Sequence, residues 1–167
     1  GEEPDEAARM PALVLAVSLA LVLSACGGAS LSRAAIEHNA AGAELLAEGD
    51  LERAEARLRL ALEFQPAYAE ARANLGLVAL ARGDLPAAEE HLRAAVGLRE
   101  DLGEAWGNLG VVLERRGEEA EARACYERAL SIHPGLRFAR RDLAWLLARS
   151  GEHAPARTHL LRLLELD

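Results

Sequence analysis

An all-α array of stacked helical hairpins is the fold class that this sequence predicts, and three observations predict it. Gly49, Gly83, Gly117 and Gly151 recur at one constant interval. A fixed period of about 34 residues marks a repeat architecture. Other columns keep the same phase: Ala54, Ala88, Ala122 and Ala156; Leu58, Leu92, Tyr126 and Leu160; Ala61, Ala95, Ala129 and Leu163. Composition agrees, because hydrophobic residues make up 51% and aromatics only 4%. The apolar content is therefore mainly Ala and Leu, which with Arg and Glu are strong helix formers.

Taken in order, residues 1–25 read as a signal segment. No charged residue falls between Met10 and Ser32, and Ala12 to Leu23 is almost wholly Ala, Val and Leu. That run is short for crossing a hydrocarbon core of about 30 Å and suits the apolar stretch of a secretory signal. Residues 1–9 either belong to it or precede a true start at Met10. The run ends in Leu23-Ser24-Ala25-Cys26, which resembles the bacterial lipobox. That resemblance implies cleavage before Cys26, a diacylglycerol on its sulfur and acylation of the new amino group. Two or three acyl chains hold a protein firmly where one does so only marginally. A plain signal peptide, or an uncleaved membrane anchor with Cys26 incidental, is the alternative. Gly27 and Gly28 follow, with no Asp at the second position, which in enterobacteria-like sorting favours the outer membrane, facing the periplasm. Residues 26–34 would be the lipidated cysteine and a short tether.

The repeats divide as 35–68, 69–102, 103–136 and 137–167, the last without a capping helix. Helices are predicted over roughly 36–48, 52–64, 69–82, 86–98, 103–116, 119–132, 137–150 and 153–166. Each periodic Gly closes a first helix, since it takes positive φ without steric penalty. Asp50, Asp84, Glu118 and Glu152 then open the second helix, where acids suit the dipole. Pro66 and Pro134 end second helices, having no N–H to continue them. The Ala54 column lets paired helices approach, and the Leu58 column is expected to fill the space between neighbouring hairpins. The final helix carries Leu160, Leu161, Leu163, Leu164 and Leu166. Two readings stand for it, an end that frays or a contact surface for another protein or a second copy.

The third unit, with Trp106, Leu109-Gly110, Gly117, Ala122, Tyr126, Ala129-Leu130 and Pro134, resembles the tetratricopeptide repeat. The resemblance spans 35–167 and implies a right-handed α-α superhelix whose first helices line a concave groove for a protein or peptide segment. It implies groove positions at Asn39, Ala43 and Leu46, then at Ala73, Asn74, Leu77 and Leu80. Gly107, Asn108, Val111 and Arg115 follow, and then Arg141, Trp145 and Arg149. Asn74 and Asn108 would pair with a bound backbone, an amide being both donor and acceptor, or would simply cap local structure. Leu77, Leu80 and Val111 are equally readable as core. The carboxylate-clamp members of the family need early basic residues, and Glu70 and Glu104 stand at inward-facing places instead. Basic residues gather late, at Arg115, Arg137, Arg140, Arg141 and Arg149, either as a groove half suited to acids or as a solvated face.

Charge and cysteine content exclude other classes. The chain carries 27 acids and 19 bases, a net charge of −8, where a nucleic-acid partner would demand a basic stripe. His38, His91, His133, His153 and His159 form no i,i+4 pair with each other or with Cys, so no metal site is suggested. Cys125 reads as a buried, inert thiol. No phosphate loop, serine elbow or nucleophile–base pair is recognisable, so neither enzyme activity nor a cofactor is expected. A membrane-anchored binding scaffold of the bacterial envelope follows, and it most resembles the lipoproteins of type IV pilus biogenesis that assist secretin assembly. An outer-membrane adaptor for cell-wall hydrolases or proteases is one alternative; an accessory subunit of an enzyme or transporter is another.

Overall fold

Every hairpin turns on the same set of backbone bonds. At the first, Gly49 adopts φ 83°, its N–H reaches Leu46 O at 3.1 Å, and the Asp50 N–H reaches back to Leu45 O at 2.9 Å. The pattern recurs at Gly83, Gly117 and Gly151, each with φ between 78° and 83°. It satisfies carbonyls that the ended helix would leave open. Asp50 and Asp84 then serve twice, because their carboxylates accept the N–H of Arg53 and Ala87, each at 3.1 Å. Glu118 and Glu152, longer by one methylene, make no such cap.

The structure, a computed structural model, describes residues 31–165. The helices among them are α1 Arg33–Glu48, α2 Leu51–Phe64, α3 Ala69–Ala81, α4 Leu85–Leu98, α5 Gly103–Arg115, α6 Glu119–Ile132, α7 Arg137–Arg149 and α8 His153–Leu164. These eight match the expected set within about three residues, and no strand occurs among the described residues. The largest difference is at α1, which begins at Arg33, inside the stretch read as tether. Residues 1–30, including Cys26 and the apolar run, lie outside the described residues, as does Leu166. No described helix is long and apolar enough to cross a membrane.

Consecutive helices pack as antiparallel neighbours, and the first helices of adjoining repeats (α1 with α3, α3 with α5, α5 with α7) also touch. Ala54, Ala88 and Ala122 are wholly buried and Ala156 nearly so, as the close approach of paired helices requires. The Leu58 column does more than fill the space between hairpins. Leu58 clusters with Leu75 and Val78 of the next repeat, and the side chains of the column also insert within their own hairpin, against Gly42, Gly76 and Gly110. A Cβ placed on those glycines would lie 2.7 Å from Leu58, Leu92 and Tyr126 respectively. This glycine column, in phase with the rest of the repeat, is a notch-and-knob lock. In the fourth hairpin Ala144 fills the notch, no described helix covers α8, and the opposing Leu160 is 44% exposed.

Candidate binding groove

The first helices of the repeats present one face to an open cavity of about 460 Å³. It is lined by Asn39 of α1, by Glu70, Ala73, Asn74 and Leu77 of α3, and by Glu104, Ala105 and Asn108 of α5, with Leu102 before α5 and Phe138 of α7. Phe138 enters because Gly107 leaves room for it: a Cβ there would meet its ring at 2.7 Å.

Amides form a row along this surface. The Asn74 Nδ2 donates to Asn39 Oδ1 at 2.9 Å, and the Asn39 Nδ2 donates to the Tyr68 hydroxyl at 3.4 Å. Burial pushes the Tyr68 hydroxyl above the usual phenol range, so it stays neutral. Asn108 makes no side-chain hydrogen bond among the described residues, so its donors and acceptor face the cavity uncommitted. Each carboxylate has a partner from the far end of its own hairpin, with Glu70 2.5 Å from Arg99 and Glu104 3.3 Å from His133 Nδ1. The result is an apolar floor, a row of groups that can donate and accept, and an acidic margin held in place by Arg99 and His133. Such a surface can hold an extended backbone while burying one or two apolar side chains.

Five of the expected positions thus come together: Asn39, Ala73, Asn74, Leu77 and Asn108. Glu70 and Glu104 face inward as read. The remaining positions do not line the cavity. Val111 and Leu80 are partly buried against the main core, and Leu46 packs on the core of the first two repeats. Ala43 is half-buried and Arg115 exposed. Arg141 pairs with Asp142 at 2.7 Å, while Arg149 bridges Glu114 and Glu119 at 3.1 and 2.9 Å. Trp145 stands 63% exposed on α7, one turn from each of these arginines.

Arg140 corrects the reading of a solvated late cluster, for it is only 6% exposed. It stands one period after Trp106 and takes over its contact. Trp106 Nε1 donates to the carbonyl of Glu100 at 2.9 Å, and an Arg140 Nη donates to the carbonyl of Pro134, each six residues back. Phe138, Leu102 and Ala105 are the lining residues that the sequence reading missed. Phe138 shares its column with Glu70 and Glu104, so periodicity alone could have flagged it.

No reactive constellation accompanies the groove. Cys125 is free and buried, and burial pushes its thiol up to about 11, so it is not a nucleophile at neutral pH. His91 and His159 share its column and are held below the usual imidazole range by burial. Among the described residues no group of three His, Cys, Asp or Glu is placed to hold a metal.

Stacked hairpins with such a groove define a protein-interaction scaffold of the helical-repeat class. The sequence matches the tetratricopeptide repeat over residues 39–103 and again over 101–167, and the chain belongs to that family. No match was found among curated proteins. Among solved structures, MamA is similar with 24% identity and a TM-score of 0.69, covering 88% of this chain and 83% of its own. PilF of Pseudomonas aeruginosa is similar with 24% identity and a TM-score of 0.74 over 80% of this chain, which spans 61% of PilF. The first repeat domain of Spaghetti (RPAP3), bound to the HSP90 peptide SRMEEVD, is 19% identical over 72% of this chain and 95% of its own, with a TM-score of 0.67. These likenesses are of fold.

Proposed function

We propose that this chain is a lipid-anchored scaffold of the bacterial outer membrane that captures an extended polypeptide segment in its groove and assists pilus secretin assembly. One observation carries the binding reading: a solvent-open, apolar-floored cavity lined by Asn39, Asn74 and Asn108. The Leu23-Ser24-Ala25-Cys26 sequence supports the anchor, and the likeness of fold to PilF supports the assembly role. The partner differs from the acidic peptide held by the Spaghetti domain. Glu70 and Glu104 line this groove and, among the described residues, no cationic side chain does, so a terminal carboxylate would find no cationic partner there.

A photo-crosslinking residue at Leu77, in cells, is expected to give a discrete protein adduct, with none from the same residue at exposed Arg128. Asn74→Ala with Asn108→Ala should cut the yield about tenfold, since each lost backbone hydrogen bond costs about 0.5–1.5 kcal/mol. Equal yield from both positions would remove the groove reading. Cys26→Ser is expected to move the protein from the membrane to the soluble fraction with an unchanged circular dichroism spectrum. Continued incorporation of labelled fatty acid by that variant would refute the anchor.

A further inference from the structure

The outer faces of the first and last described hairpins carry opposite charge and matching register, and we infer that copies of this chain stack head to tail, α8 of one against α1 and α2 of the next. The inference is independent of the groove. Inside the molecule, adjoining repeats are tied by one recurring pair. A glutamate on a second helix meets the arginine that ends the next first helix, as Glu55–Arg82 and Glu89–Arg116. Stepping the glutamate column on by its period gives Arg123 and then Arg157. The arginine column runs Glu48, Arg82, Arg116, Ser150. Carried one step past α8, the internal screw sets Arg157 of one copy against Glu48 of a second, the same pair with its signs exchanged.

A second internal contact leads to the same place. Arg123 reaches Glu152, the residue before α8, at 2.6 Å. One period on, Arg157 would face the residue equivalent to Glu152 in the next copy, which is Asp50. Arg157 is exposed and makes no ion pair among the described residues, and Glu48 likewise.

The rest of each face agrees. Helices α1 and α2 together carry six Glu and four Arg, whereas α7 and α8 together carry six Arg and one Asp. The trailing face bares what internal repeats cover: Leu160 is 44% exposed where Leu58, Leu92 and Tyr126 are fully buried, and Leu164 is 70% exposed where Val96 is 7%. The leading face bares Ile36, 45% exposed. Such a contact uses two different surfaces and does not close, so copies add without limit.

The test is sedimentation velocity of the full chain in a mild detergent over a dilution series. The mass of the unaltered chain is expected to climb past that of a dimer as concentration rises, and to fall back at high salt, which screens exposed pairs. Arg157→Glu, facing two carboxylates, should shift association to about tenfold higher concentration or beyond. Adding Glu48→Arg on the same chain should return it to the original range. That rescue separates a broken junction from a damaged fold, and an Arg in the last turn of α1 suits the helix dipole. A monomer at every concentration overturns the proposal. So does a mass that stops at two copies and ignores Arg157→Glu, which would mean α8 leucines pairing back to back.

Discussion

Tyr126→Ala is expected to lower stability by about 3–5 kcal/mol, the usual cost of deleting a fully buried aromatic ring. Tyr126 has no exposed surface and is the largest side chain so buried among the described residues. Its ring fills the Gly110 notch, and the main core, built from repeats two to four, closes around it. Its hydroxyl donates to Glu114 at 2.9 Å, and Glu114 also meets Arg149 of the next repeat at 3.1 Å. Burial and the adjacent Glu114 carboxylate push the phenol far above its usual range, so the hydroxyl remains a donor at any ordinary pH. Tyr126→Phe keeps the ring and strands one carboxylate oxygen, so about 1–2 kcal/mol should be lost. Urea unfolding followed by circular dichroism checks both. A loss under about 1 kcal/mol for Tyr126→Ala would mean that the notch collapses freely, contrary to close packing.

The second large effect has an opposite-signed control. Gly110→Ala would set a Cβ 2.7 Å from both Cδ1 and Cε1 of Tyr126. The ring has no free space to retreat into, so overpacking should cost about 1–3 kcal/mol net, despite the roughly 1 kcal/mol that Ala gains over Gly in a helix. Gly97, also within a helix, is exposed, and a Cβ added there would find nothing within 4 Å. Gly97→Ala should therefore raise stability by about 0.5–1 kcal/mol. Should the two substitutions shift the urea midpoint in the same direction, the lock between Gly110 and Tyr126 is not a packing constraint.

How much of this was legible beforehand differs between fold and groove. Hairpin boundaries were readable because they are local: a positive-φ glycine and an acid after it fix a turn within a few residues. Groove positions were readable where the repeat column is narrow and polar, as at Asn74 and Asn108. They were misread where one column serves two environments. Leu77 lines the cavity while Val111, one period later, packs on the core. Arg140 reads as surface charge in the sequence and is buried as a substitute for Trp106.

By itself, the order of residues determined the period, the eight helices and their turns, since capping and backbone hydrogen bonds act over a few residues. Only the tertiary structure decided which side chains face the groove and which face the core. It also set the counter-groups of Glu70 and Glu104, Arg99 and His133, which lie 29 residues away along the chain. Those partners meet only when the two helices of a hairpin close on each other at a particular rotation, and that rotation is set by packing at the glycine notches and between repeats.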